Sequence, residues 1–170
     1  MPESNPKHAT TAHVVSDVAD VPTGFKALHV GGAYFQLLGP VYSRPSDGGG
    51  VVIALRVAER HLNIQGITHG GMLATLADGA LGINIALARQ QRSAQVTVSL
   101  TADFISGGRL GDWLEAHTTI TRMGQRMAYA SCDLKVGSRH VLRSSGVFAF
   151  VDRPWPPAAV ASSEPPLQDG

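Results

Sequence analysis

The residues best suited to chemistry lie in one run, His61-Leu62-Asn63-Ile64-Gln65-Gly66-Ile67-Thr68-His69-Gly70-Gly71, which leads into an apolar stretch containing Asp78. A loop that ends in Gly-Gly at a helix start leaves backbone N–H groups free, with no side chains to block a ligand. The helix dipole adds partial positive charge at the same place. Together they suit an oxyanion, such as a thioester carbonyl oxygen as it becomes tetrahedral. Asp78 is the anomaly, because a carboxylate within an apolar helix carries a desolvation cost unless it is paired. It is either a site residue or a structural one that caps backbone groups or pairs with Arg89 or Arg92. Taken singly, Asn63 reads as a turn residue and His69 as a ring that orients the loop through hydrogen bonds. His61, His69 and Asp78 do not have a recognised metal-ligand spacing, so neither a metal nor a cofactor is expected.

These residues need elements to hold them. Gly70–Ala88 is apolar enough to be one long helix, and Asp78 near its centre argues against a membrane span. A short helical stretch is expected within Gly24–Leu38, anchored by Phe25, Leu28, Tyr34 and Leu37. Val51–Val57 alternates and is β-branched, and it follows the turn Ser46-Asp47-Gly48-Gly49-Gly50. Beyond the helix the period becomes two. Val96–Phe104 alternates throughout, and strands are expected again over Trp113–Thr121, Met127–Val136 and His140–Val151. One strand, one long helix and four successive strands imply an antiparallel meander wrapped on the helix. A helix apolar on nearly every side must be covered all round, and one sheet covers one side only. A second copy of the chain is therefore expected to complete the structure.

Composition removes other classes. The chain has 170 residues with 44% hydrophobic and 16% charged, the make-up of one globular domain. A net charge of +1 gives no electrostatic reason to expect nucleic acid or an anionic membrane surface as partner. Cys132 stands alone, so no disulfide forms within the chain, and with no secretory signal evident a cytoplasmic location is expected. Residues 1–22 and the Pro-rich segment 153–170 read as tails around a domain at 23–152, although Trp155 could pack on the body. No G-x-S-x-G nucleophile elbow accompanies His69-Gly70-Gly71, and Gly48-Gly49-Gly50 lacks the Lys and helix of a phosphate loop.

The run HLNIQGITHGGMLATLAD resembles the signature of the PaaI-type (phenylacetate-pathway) thioesterases of the hotdog superfamily. Asn63, Gly66, His69, Gly70, Gly71 and Asp78 match it with the family's spacing. The likeness extends over about residues 24–151. It implies an α+β hotdog fold, an antiparallel β-sheet wrapped around one long central helix. It also implies acyl-CoA thioesterase activity on an aryl- or medium-chain acyl-CoA.

By the same resemblance, Asp78 activates water or acts as nucleophile. The Gly70 N–H polarises the thioester carbonyl, Asn63 helps to place the carbonyl or the water, and Thr97 holds the water. His69 and Gly71 border the substrate. The loop and the acid come from different subunits, so a homodimer is expected, and a dimer of dimers beyond it. CoA runs outward along the interface, where Arg109, Arg122 and Arg126 are candidates for its phosphates or else solvated turn charges. The turn Ile105–Arg109 lacks the proline common in the family. The readings from other classes are a non-catalytic acyl-CoA-binding module, which has no need of Asp78, and a hydratase, whose motifs are absent.

Overall fold

Asn84, about four turns into the long helix, ties that helix to the sheet. Its side chain accepts from Val51 N (2.8 Å) and donates to Val51 O (3.0 Å) and to Ala80 O (2.9 Å). The approach is close enough that a Cβ at Gly50 would lie 2.3 Å from Asn84 Oδ1.

The computed structural model describes residues 21–89 and 94–151. The strands are β1 (Lys26–Ala27), β2 (Val41–Pro45), β3 (Val51–Arg56), β4 (Ala94–Phe104), β5 (Trp113–Met123), β6 (Met127–Val136) and β7 (Arg139–Val151). The helices are α1 (Gly32–Gln36) and α2 (Gly70–Ala88), and a single 3-10 turn covers Glu59–His61. All the strands pair antiparallel in one sheet of order β1-β2-β3-β5-β6-β7-β4.

The core forms where α2 meets the sheet. Leu76, Leu81 and Ile85 of the helix pack with Ile53, Leu55, Leu114, Leu134 and Leu142, all of them fully buried. Each such side chain contributes about 1.5–3 kcal/mol on leaving water. Gly70–Ala88 is, among the described residues, the one helix long and apolar enough to cross a membrane, yet it lies against this sheet. The sheet covers only one of its faces. Gly71, Ala74, Thr75, Asp78 and Gly82 form the opposite face, half-buried or exposed. Cys132 is a core residue, and burial pushes its thiol up to about 12.

The sheet is not the simple meander expected. β5, β6 and β7 follow one another, but β5 pairs with β3 (Ile53↔Ala116), so β4 lies beyond β7 at the edge (Ala102↔Ser144). The helix carries the chain from β3 across to the far edge, and the segment Ile105–Asp112 brings it back under the helix start. β1 and β2 were also not foreseen, because Ser43-Arg44-Pro45 has no apolar alternation. The Ser46–Gly50 turn joins β2 to β3 as read, closed by Ser46 N to Gly50 O at 3.1 Å. Within Gly24–Leu38 only Gly32–Gln36 is helical, and Phe35 is its buried residue. Tyr34 and Leu37 are 72% and 71% exposed, so neither anchors it. Phe25 packs on Trp113 instead, ring centroids 5.1 Å apart. The expectations for residues 1–20 and 152–170, Trp155 included, lie outside the described residues.

Replacing Asn84 by Ala leaves the Val51 backbone groups without these partners in a dry contact. The expected loss is about 1–3 kcal/mol of unfolding free energy, measured by urea titration with an unchanged m-value. An unchanged midpoint would show that the Val51 contact contributes nothing.

Candidate functional site

The loop before α2 is pinned from three sides. Thr68 N donates to Gly108 O (2.9 Å), and Gly108 N donates back to Thr68 Oγ1 (2.9 Å). A Cβ at Gly108 would come within 2.8 Å of Thr68 Cγ2, and one at Gly107 within 3.0 Å of Ile67. This is why Gly107-Gly108 breaks the strand pattern here. Arg139 holds the same turn from outside, donating to Gly107 O and pairing with Asp112 at 2.9 Å. From the third side, His61 accepts from Ala58 N at Nδ1 (3.0 Å), while its Nε2 meets Leu38 O (3.0 Å). Those contacts fit the neutral ring protonated on Nε2. Its pKa lies below the usual histidine value, first because burial disfavours the charged form and then because Arg60 is adjacent.

Inside the loop, Asn63 Oδ1 accepts from Gln65 N (2.9 Å) and Ile67 N (3.4 Å), closing a turn that also needs Gly66 at φ +74°. The turn role read for Asn63 is therefore present, and its Nδ2 has no hydrogen-bond partner among the described residues. His69 is the N-cap of α2, its Nδ1 accepting from Gly71 N at 2.9 Å. Gly71 N–H is thereby engaged. For Gly70 N–H there is no hydrogen-bond partner among the described residues. Among those residues, no group of three His, Cys, Asp or Glu is placed to hold a metal ion.

Asp78 has a partner that sequence reading did not name for it. Thr97 Oγ1 donates to Asp78 Oδ1 at 2.9 Å. Of the two arginines weighed for it, Arg89 instead donates to Gln125 O and stacks 3.3 Å over the Phe150 ring, while Arg92 lies outside the described residues. Nor is the carboxylate sealed in the core: it is half-buried on the face of α2 that the sheet leaves uncovered.

Thr97 reaches it because β4 does not alternate throughout. Its register with β7 shifts between Thr97↔Phe148 and Ser99↔Val147, so Val98 is an extra residue. Unbroken alternation would place Thr97 on the face opposite Leu100. With Val98 bulged, Thr97 and Leu100 both face the helix, opposite Phe148 and Gly146.

Asp78 and Thr97 open into a cavity of about 420 Å³ shared with Thr75, Leu100, Tyr34 and Phe35. The last two were not singled out as site residues. The only sequence signal for them was Gly79 beside Asp78, a gap in the helix surface that another side chain can fill.

The remaining candidates are kept apart within one chain. Neither Asn63, His69, Gly70 nor Gly71 borders this cavity. Gly70 and Asp78 stand on one helix, eight residues and so about 12 Å apart along its axis. Arg109 is exposed near the helix start, where Ile67 bridges to it. Arg122 and Arg126 are exposed in and beside the β5–β6 turn, at the other end, where Arg89 caps the helix onto Gln125. One chain cannot bring Arg109 and Arg126 to the same phosphate, since α2 alone is roughly 28 Å long.

The Thioesterase superfamily model matches residues 65–142. Over 129 residues the chain is 46% identical to PA0474 of Pseudomonas aeruginosa, a protein provisionally named an esterase, covering 76% of this chain and 96% of that one. It is 27% identical over 109 residues to human acyl-coenzyme A thioesterase 13, covering 64% of this chain and 77% of the relative. Among solved structures, a hypothetical thioesterase protein from Streptococcus pneumoniae, determined with coenzyme A, superposes with a TM-score of 0.55 at 24% identity. That match covers 59% of this chain and 80% of the other.

The His61 contacts make a pH prediction. Its folded pKa is depressed, so the unfolded chain binds the proton more readily as pH falls. The contribution is fully present above about pH 6.5 and is lost as pH falls from there through the folded value. Urea midpoints measured between neutral and mildly acidic pH should decline for the wild type and decline less steeply for His61→Gln. Equal slopes would show that His61 does not titrate differently on folding.

Proposed function

The chain belongs to the thioesterase superfamily and is a thioester hydrolase, and on that premise we propose that its substrate is an aryl- or medium-chain acyl-CoA attacked at Asp78. The observation that carries the assignment of Asp78 is its bond to Thr97. Thr97 occupies Oδ1 and orients the carboxylate, so that Oδ2 is the oxygen left to take a proton from water in the cavity that Asp78 lines. The water oxygen then bonds to the thioester carbon and the carbonyl electrons move to oxygen. Collapse of that intermediate breaks the C–S bond, and the proton held by Asp78 passes to the departing CoA sulfur. In the other version Asp78 itself attacks the thioester carbon, the C–S bond breaks and CoA leaves as thiolate. Water then opens the resulting anhydride at the Asp78 carbon, returning the carboxylate and releasing the acid. Oxygen-18 water under single-turnover conditions separates the two, since only the anhydride route leaves label in the Asp78 carboxylate.

The oxyanion needs a donor within about 3 Å while the carboxylate stands at the other side of the same carbon. Gly70 N–H is a suitable donor, but in one chain it stands about 12 Å along the helix from Asp78. The arrangement works if each site combines Asp78 and Thr97 of one subunit with Asn63, His69, Gly70 and Gly71 of another. The uncovered small-residue face of α2 and the edge strand β4, with Val96 and Val98 48% and 56% exposed, are suited to such pairing. On this reading the protein works as a homodimer, and as a dimer of dimers beyond it. CoA would leave along the subunit junction, where Arg109 of one copy and Arg126 of another could flank its phosphates. The cytoplasm, which holds acyl-CoA and keeps thiols reduced, suits the single buried Cys132.

Asp78→Asn should keep the fold and acyl-CoA binding while lowering thiol release by at least about 100-fold. Thiol release from acyl-CoAs at the wild-type rate in this variant would remove Asp78 from the chemistry. Binding without turnover by the wild type would instead favour the non-catalytic acyl-CoA module.

Gly70→Pro tests the donor. Proline is favoured at the first helical position, and His69 at ψ 133° already has the conformation that precedes proline. A Cβ at Gly70 would lie 3.2 Å from the exposed Phe104 ring, which must shift slightly. Circular dichroism and thermal melting check that the N–H is removed with the helix kept. A loss of roughly 10²–10³ in kcat is expected. Subunits of Gly70→Pro refolded together with Asp78→Asn should recover about a quarter of wild-type activity, because mixed dimers hold one undamaged site. No recovery in mixtures shown to contain mixed dimers would place both groups in one chain.

A further inference from the structure

The acyl-CoA reading above leaves open what bounds the acyl group, and the packing of α1 on α2 bears on it. Phe35, only 4% exposed, is seated where α2 has no side chain. A Cβ at Gly79 would lie 2.2 Å from Phe35 Cε2 and 2.4 Å from Cδ2. A Cβ at Gly31 would lie 2.6 Å from Cδ1 of the same ring, and Gly31 also holds φ +99°. Two glycines thus grip the ring from both sides. Gly79 is the residue next to Asp78, with Cα atoms about 3.8 Å apart. The ring therefore stands within one side-chain length of the carboxylate, and the two line the same cavity. Leu100 supplies a second apolar wall, and Tyr34, 72% exposed, stands at the rim.

Resting on that reading, we propose that Phe35, seated at Gly79, is the specificity-determining wall of the acyl pocket, and that the pocket favours compact aryl groups over long chains. An acyl carbonyl held at Asp78 meets this wall within a few carbons. A long flexible chain has to turn there and gives up rotamer freedom, whereas a flat ring can lie edge-to-face against Phe35 under Tyr34. α1 thus serves as the mount of the wall. Gly31 and Gly79 let its Phe35 ring approach the helix closely.

The test compares kcat/KM for benzoyl-, butyryl-, octanoyl- and palmitoyl-CoA in the wild type, Phe35→Leu and Phe35→Ala. Binding of the matching non-hydrolysable thioether analogues is measured in parallel. In the wild type benzoyl-CoA should be preferred over palmitoyl-CoA. The palmitoyl-to-benzoyl ratio should rise by about 10-fold or more in Phe35→Ala, and by less in the same direction in Phe35→Leu. The analogue affinities should shift alike. Folding is checked by thermal melting, and Phe35→Leu keeps an apolar group in the notch should the alanine variant fail to fold. A chain-length profile that falls by one common factor in a folded variant would overturn the proposal. So would a wild type that prefers palmitoyl-CoA. If no acyl-CoA is hydrolysed by the wild type, the catalytic reading fails, and the analogue binding profiles still decide whether Phe35 is the wall.

Discussion

A helix that must satisfy two different neighbours governs this structure. On one side α2 presents Leu76, Leu81 and Ile85 to an antiparallel sheet and is buried there as completely as any core helix. On the other it is trimmed to Gly71, Ala74, Thr75, Asp78 and Gly82, which bury little and leave room. Glycines in a helix interior cost about 1 kcal/mol each relative to alanine. At Gly79 that cost is offset by the ring of Phe35, which packs where a Cβ would otherwise stand. The sheet side supplies stability, and the trimmed side makes a carboxylate tolerable mid-helix, because Asp78 there meets Thr97 and a cavity instead of packed hydrocarbon.

The two ends of the helix are fixed by different means, which gives the site its rigidity. At the start, the Thr68–Gly108 pair of hydrogen bonds, the His69 cap and the buried His61 ring set where the first free N–H points. At the far end, Arg89 lies over Phe150 and reaches Gln125 O. Between them Asn84 grips the β2–β3 hairpin. A polar group placed at a helix start is only as well positioned as the helix axis, and these contacts fix that axis against the sheet.

The parts of this arrangement that sequence made legible are local ones. Gly70 and Gly71 are visible as backbone requirements, Asp78 as an ionisable group out of place, and the long helix by its apolar run. The turn at Ser46–Gly50 was legible for the same reason, since its signal and its structure occupy the same residues. What escaped depends on pairing across the fold. The place of β4 beyond β7 is decided by β5 taking the position beside β3, which no period in β4 records. Phe35, not Tyr34 or Leu37, is the anchor of α1 because of a vacancy on a helix far along the chain. Asn84 looks like a blemish in an apolar run until the Val51 backbone is set against it.

The bulge at Val98 gives strand length a meaning of its own. A substitution at this position changes one side chain on an exposed edge. Loss of the residue instead merges two registers, so that Thr97 turns to the outer surface or the chain back to Ala94 slides past β7. In genetic terms, a point change in this codon is a small event, whereas loss of the codon is a frameshift in the geometric sense: the reading frame of the strand's two faces moves by one. Related chains that differ here by a single-residue gap would keep the sheet and its hydrophobic face while separating the acid from the hydroxyl that orients it. Divergence in chemistry can therefore leave its mark in this family as a change of length, with every recognisable motif residue still in place.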